Sequence, residues 1–168
     1  KVVDQLSQKN ILNIINDWFE NSSIKASFEI LDSGEYKKLM VKDLTKKDGK
    51  LINIVDAGSG IRQLLPIILT LLSNFESITY YNNETFPSKN IILEEPEANL
   101  HPKLHIDLAY LIGKIASYNS IEKSVSIPKK GISLFSNDNF IIETHSEHMM
   151  LAFQKLIREK KLSSEDLN

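Results

Sequence analysis

The segment Asn90-Ile91-Ile92-Leu93-Glu94-Glu95-Pro96-Glu97-Ala98-Asn99-Leu100-His101-Pro102 constrains this chain more than any other. An apolar run ends abruptly in two adjacent carboxylates and a proline. Ile91, Ile92 and Leu93 predict a short buried strand, and the chain leaves the sheet at the strand's carboxyl end, where open α/β sheets bind ligands. Glu94 and Glu95 therefore arrive together at the edge of a site. Successive strand residues point to opposite sides, so the two acids have different tasks: one can reach a hydrated magnesium ion, the other a water. Pro96 stops the strand.

The 168 residues suffice for one domain with a real core, 42% hydrophobic and 25% charged. Twenty basic against 22 acidic residues leave a formal charge of −2, which gives no overall electrostatic attraction to nucleic acid or an anionic membrane. The chain has no cysteine, which excludes disulfides and thiolate metal sites and fits a reducing, cytoplasmic setting. Its longest apolar run, Leu64 to Leu72, contains Pro66 and Thr70 and is far short of the roughly 20 residues of a membrane span. The first residue is Lys1 and nothing after it is laid out as a signal peptide.

Along the chain, Val3, Leu6, Ile11, Ile14, Ile15 and Trp18 recur at three- to four-residue spacing, predicting a helix or helical pair over Val2 to Phe19. Alternating residues at Ser27 to Leu31, Leu39 to Val41 and Leu51 to Val55, separated by Asp32-Ser33-Gly34 and Lys47-Asp48-Gly49, predict a small antiparallel meander. Ile61 to Leu72 reads as an apolar helix with Pro66 in its opening turns. A helix over Pro102 to Ala116 presents Leu104, Leu108, Leu111, Ile112 and Ile115 on one face. A second buried strand follows at Phe140 to Glu143, then a helix from His145 to Lys161. Tyr80 to Lys89 and Tyr118 to Asn139 read as surface insertions. This gives residues 1–54 as a lead-in, 55–162 as the domain that carries the motifs, and 163–168 as a polar tail.

Two further clusters carry chemistry. Asp56-Ala57-Gly58-Ser59-Gly60-Ile61-Arg62-Gln63 is a Gly-x-Gly turn set directly before a helix. Backbone amides there, unobstructed by Cβ atoms at Gly58 and Gly60, form an anion site to which Ser59 adds a hydroxyl, although such turns are more often only turns. In Phe140-Ile141-Ile142-Glu143-Thr144-His145-Ser146-Glu147-His148 a strand again delivers polar residues at its exit. His145 suits a hydrogen bond to a phosphate oxygen near neutral pH; a simpler role for Thr144 or Ser146 is to cap the next helix.

Taken in order, the three clusters resemble the second half of the ATPase head of the ATP-binding cassette superfamily. They are most similar to its stand-alone AAA-type ATPases, with D-x-G-x-G-x-x-Q-x-L-P, E-E-P-E-x-x-L-H-P and E-T-H-S-E-H motifs. Here these are Asp56, Gly58, Gly60, Gln63, Leu65 and Pro66, then Glu94 to Pro102, then Glu143 to His148. The resemblance covers about residues 55 to 160 and implies the α/β fold of the C-terminal part of a P-loop NTPase domain, with a layered sheet, flanking helices and the small meander. It further implies that Glu94 is the Walker B acid of the magnesium shell, although relatives often have Asp there. Glu95 would be the general base for the attacking water and His145 the switch histidine at the γ-phosphate. Ala98 to His101 would be the D-loop, and Gly58, Ser59, Gly60 and Gln63 would cap ATP bound by the opposite subunit of a head-to-tail homodimer. Hydrolysis would then rest on positioning and charge stabilisation. No G-x-x-x-x-G-K-[ST] loop is present: of the two Gly-Lys pairs, Gly49-Lys50 is followed by Leu51 and Gly113-Lys114 by Ile115. In the family that loop precedes the signature, which places it before Lys1 of a longer protein. ATP and magnesium are thus expected of the complete protein, in a setting of conformational work, DNA processing or bacterial defence.

Other readings compete. His101 with His105 and His145 with His148 have helical spacing suited to a metal, but lack the His-Glu-x-x-His order. A glycosidase pair needs carboxylates that face each other, whereas adjacent strand residues point apart. A non-hydrolysing interaction module that kept the fold is the main alternative, and a protein partner is left open. Lys155, Arg158, Lys160 and Lys161 form a basic run that could meet nucleic acid, though such runs more often make a solvated face at a helix C-terminus.

Overall fold

The computed structural model describes residues 2–72, 90–121 and 139–163. The stretch Tyr80 to Lys89, residues 122–138 of the second proposed insertion, and residues 164–168 of the tail lie outside them. The chain divides into two compact units, Lys1–Leu69 and Thr70–Asn168. Helices and strands mix in both, giving the α/β class.

In the first unit, helix α1 (Val2–Asn21) leads into an antiparallel meander of β1 (Ala26–Asp32), β2 (Lys37–Asp43) and β3 (Leu51–Asn53). Of the two alternatives, a helix or a helical pair, the structure has one continuous helix. Phe19 and Phe28 are fully buried and meet edge to face, with ring centroids 4.8 Å apart. Asn16 joins the two elements: its side-chain amide donates to the Phe28 carbonyl at 3.0 Å and accepts from the Phe28 N–H at 2.6 Å, as a neighbouring strand would. The hairpin between β1 and β2 turns at Gly34, whose φ of 85° and N–H bond to Asp32 Oδ1 explain the Asp-Ser-Gly signal. Strand β3 is shorter than its alternation predicts, because the Asn53 side chain takes the Val55 N–H and turns Ile54–Asp56 into a 3₁₀ helix.

Helix α2 (Ser59–Leu72) starts two residues before the expected position, which makes Pro66 its eighth residue rather than part of its opening turns. The proline removes one i→i−4 bond in mid-helix. The helix forms despite this because Leu64, Leu65, Ile68, Leu71 and Leu72 bury one face, at about 1.5–3 kcal/mol for each side chain.

In the second unit, β4 (Asn90–Glu94) and β5 (Asn139–Glu143) pair in parallel, with Asn90 opposite Asn139 and Glu94 opposite Glu143. Helix α3 (Pro102–Ile121) lies in the crossover, and α4 (Glu147–Arg158) follows β5. The strands are covered on one face only: Ile91 and Leu93 are buried, while Ile92 is 64% and Ile141 55% exposed. The unbroken apolar run had suggested burial on both faces. Helix α3 runs to Ile121, so the second insertion begins later than Tyr118. It packs on α4 through Leu104, Leu108, Ile112 and Ile115 against Met149, Ala152 and Leu156, all buried. Gly113 allows the close approach, since a Cβ there would run into Leu156 Cδ1.

Helix α4 is shorter than expected because it is capped at both ends. Ser146 accepts the Met149 N–H at the start. At the end Lys160, in the left-handed region at φ 56°, donates to the Ile157 carbonyl, and Lys161 donates to that of Leu156. That bond pair closes a Schellman motif with lysine where glycine is usual. Among the described residues, no helix is long and apolar enough to cross a membrane.

Candidate functional site

The parallel pairing of β4 and β5 brings their carboxyl ends side by side, and each end turns sharply. The Glu95 N–H donates to the Glu143 carbonyl at 2.8 Å, extending the ladder by one residue. Glu95 itself stands at φ 42°, a conformation that an L-residue with a long side chain adopts only under constraint. Two turns follow: the Ala98 N–H bonds to the Glu95 carbonyl at 2.9 Å and the Leu100 N–H to the Glu97 carbonyl at 3.0 Å. Pro96 takes the second position of the first turn, which its fixed φ favours. Asn99 sits at φ 58°, tolerable for asparagine.

The left-handed turn directs the Glu95 carboxylate to the exit of β5, where its Oε1 lies 3.5 Å from His145 Nε2. Both side chains are open to solvent, at 54% and 77% exposure. A carboxylate so placed can accept a proton from a water beside it, and the neighbouring imidazole can donate a hydrogen bond to an anion. Glu94 points elsewhere. It shares the exposed face of the strand pair with Asn90 and Ile92, and its register partner Glu143 shares the matching face of β5. Like charges directly opposite repel, unless a cation lies between them.

Behind this edge is a polar network that the sequence reading did not assign. Glu97 is buried at 6% exposure. Its Oε1 accepts the Thr144 hydroxyl at 2.5 Å and the His145 N–H at 2.9 Å. Burial works to raise its pKa, but the Thr144 hydroxyl, its own backbone amide, the His145 amide and the charge of His105 outweigh that and hold it below the ordinary value. Thr144 Oγ1 also accepts the Ser146 N–H at 3.0 Å. His105 ties the same two turns from the α3 side, its Nε2 at 3.0 Å from the Leu100 carbonyl and its Nδ1 at 2.7 Å from Ser146 Oγ. A carbonyl only accepts, so Nε2 carries a proton and donates to Leu100, while Nδ1 shares its hydrogen bond with the Ser146 hydroxyl, which can serve as donor or acceptor. With both ring nitrogens engaged, His105 is no metal ligand. Among the described residues no group of three or more metal-ligating side chains occurs.

Gly58, Ser59, Gly60 and Gln63 belong to the first unit, whereas Glu94, Glu95 and His145 belong to the second. The Gly58 carbonyl accepts the Arg62 N–H at 3.3 Å, so the amides of Ser59, Gly60 and Ile61 precede the helical ladder and face outward, as an anion site requires. A Cβ at Gly58 would meet nothing within 4 Å, which leaves the turn open to approach. Gly58 also borders a pocket of the first unit lined by Lys25, Lys46 and Lys50. In the second unit the basic run is partly neutralised: Lys155 and Lys161 both lie on Glu159, at 3.8 and 2.7 Å.

Glu143 could have been found in the sequence. Asn90-Ile-Ile-Leu-Glu94 and Asn139-Phe-Ile-Ile-Glu143 are the same five-residue pattern, and in-register pairing puts their acids together. Glu97 and His105 left no comparable signal, because the partners that tie them to the turn after β5 lie 41 to 48 residues away.

A family model described as an AAA ATPase domain matches residues 4–150. Among solved structures, the chain is similar to an SMC ATPase from work on ATP-driven dimerization and DNA-stimulated activation of those enzymes. That likeness has a TM-score of 0.57 at 15% identity and covers 89% of this chain and 76% of the other; at that identity it speaks for the fold. A search of curated proteins gave no significant match.

Proposed function

The chain belongs to the AAA ATPase domain family, and from that premise we propose that it supplies the hydrolytic half of an ATP site, of the cassette type. The observation that carries this reading is the Glu95–His145 pair, 3.5 Å apart at the exits of two parallel strands, with Glu95 in a left-handed backbone conformation. Strain of that kind clusters at active sites, which favours hydrolysis over a module that merely kept the fold.

In this mechanism Glu95 accepts a proton from the attacking water, and His145 donates a hydrogen bond to the γ-phosphate. Glu94 has the role of the metal-shell acid. The in-register Glu143 carboxylate adds to an oxygen donor set of the kind that hard cations prefer. Bound there, magnesium would offset phosphate charge. The Ser59 and Gly60 amides, the Ser59 hydroxyl and Gln63 cap nucleotide held by the opposite subunit of a head-to-tail homodimer. The residues from 55 to 162 act as the motif-bearing part. The phosphate-cradling G-x-x-x-x-G-K-[ST] loop, not found in this chain, comes from another segment of the complete protein or from a partner. Dimerization driven by ATP, named for the similar SMC ATPase, supports the dimer proposed here. The work done by hydrolysis is conformational, in a cytoplasmic DNA-processing or defence setting.

The test is Glu95→Gln in the complete protein. Phosphate release from ATP should fall to background while ATP still yields a dimer on size-exclusion chromatography. Turnover at the wild-type rate would refute the assignment of the base.

A further inference from the structure

We propose that Glu97 is a positioning residue that locks the Glu95–His145 pair, a role that rests on the ATP-site reading above. Glu97 touches neither reacting group through its own side-chain chemistry. It follows Glu95 by two residues in the turn after β4, and its Oε1 accepts both the Thr144 hydroxyl and the His145 main-chain N–H in the turn after β5. A single carboxylate oxygen thus fixes the Cα of His145 relative to the turn that carries Glu95. Other ties between these two turns are the Glu95 N–H to the Glu143 carbonyl and His105, which bridges Leu100 and Ser146.

The chemistry of Glu97 is hard to explain by stability alone. It is 6% exposed, and among the described residues its Oε2 is the one buried side-chain oxygen or nitrogen with no hydrogen-bond partner. A buried carboxylate with one oxygen unsatisfied costs free energy that an apolar residue of similar size would not. What only an acceptor provides here is two charge-assisted bonds, both to the segment that bears His145. Loss of that acceptor frees the segment, and a catalytic group that drifts by about 1 Å loses up to roughly 100-fold in rate.

Four variants of the complete protein separate the possibilities, with kcat taken per nucleotide-binding site and KM for ATP measured alongside. Glu97→Ala is expected to lower kcat roughly 10- to 100-fold, with KM changed by less than about threefold. Glu97→Gln keeps an acceptor of the same shape and is expected to recover kcat to within about fivefold of wild type, the shortfall reflecting neutral in place of charge-assisted bonds. Thr144→Val removes the hydroxyl bond without touching Glu97. It carries the test if Glu97→Ala does not fold, with an expected kcat loss of about fivefold or more at unchanged KM. A purely structural role would lower the melting temperature or the yield and leave kcat per site untouched. Wild-type kcat per site in Thr144→Val and in any folded Glu97→Ala overturns the proposal. Glu95→Gln, run beside them, tells the two failures apart: if it turns over normally the ATP-site reading falls and takes this one with it. If it is inactive while the others are normal, only the positioning role is wrong.

Discussion

The left-handed backbone of Glu95 makes a prediction in which stability and activity move in opposite directions. Its φ of 42° costs an L-residue about 1–2 kcal/mol, a cost that glycine escapes. Glycine in turn loses about 0.5–1 kcal/mol through the greater freedom of the unfolded chain. Glu95→Gly and Glu95→Ala both delete the carboxylate, and the exposed contact with His145 is worth at most about 0.5 kcal/mol in either. That contribution cancels between them. The glycine variant should therefore be the more stable of the two by about 0.8 kcal/mol, within a range of about 0–1.5, which at a slope of about 2 kcal/mol/M moves the urea midpoint by about 0.4 M. Glu95→Asn should fall between them, since asparagine tolerates this region. All three should lack ATP turnover. The assay is urea unfolding of the complete protein followed by far-UV circular dichroism, with unfolding slopes compared so that a change in cooperativity is not mistaken for stability. An alanine variant more stable than the glycine variant would refute the reasoning, because it would mean that this turn relaxes without the carboxylate and stores no strain.

The end of α4 carries a related prediction: Lys160→Gly places the usual residue at the left-handed position of the Schellman motif and should raise stability by about 0.5–1 kcal/mol in the same assay, with no change in turnover. Acid stability follows from Glu97. Its pKa is held below the ordinary 4.5 in the folded protein, so its contribution is fully present above that value and is lost as pH falls through the lower, folded one. Urea midpoints measured from pH 6 downward should drop below about pH 4.5, and Glu97→Gln should make that drop shallower.

How much of this was legible in the sequence depends on the distance between partners. Strands β4 and β5 and the facing helices α3 and α4 follow from periodicity, because residues such as Leu104, Leu108, Ile112 and Ile115 are brought to one side by the helix itself. The placements of Glu95 and His145 were legible as strand exits, since an apolar run that stops at a charged residue marks where a sheet ends. What periodicity cannot show is which strand face is covered, and so Ile92 and Ile141 read as core although they are exposed. Nor does it register side-chain capture of the backbone, which ends β3 at Asn53 and, through the Ser146 cap, starts α4 at Glu147 rather than at His145. The position of Pro66 was misjudged for the same reason: the apolar face of α2 outweighs one missing hydrogen bond, and only the packed structure shows by how much. Glu97 lies furthest out of reach, because an acid in a turn is ordinarily solvated and its burial arises only once the β5 turn is laid across it.

The strain at Glu95 and the network behind it have a common explanation. A residue held at φ 42° relaxes unless its neighbours leave it no alternative. Between residues 95 and 100 the chain makes three main-chain bonds, Glu95 N–H to Glu143, Ala98 N–H to Glu95 and Leu100 N–H to Glu97, and Glu97 adds two from its side chain. At about 0.5–1.5 kcal/mol each, five bonds exceed the cost of one left-handed residue, so the turn is over-determined. Three of these bonds, Glu95 N–H to Glu143 and the two accepted by Glu97, join the two strand exits, so the separation of Glu95 from His145 is set by the fold before any ligand arrives. Groups fixed in advance need no reorganisation when charge develops, which is where electrostatic catalysis gains most. If the 95–100 turn were instead ordered only by nucleotide, its amides would exchange rapidly with deuterium in the ligand-free protein. Preorganisation requires that the Glu95, Ala98 and Leu100 amides be protected without nucleotide, to a degree comparable with the ladder of β4 itself.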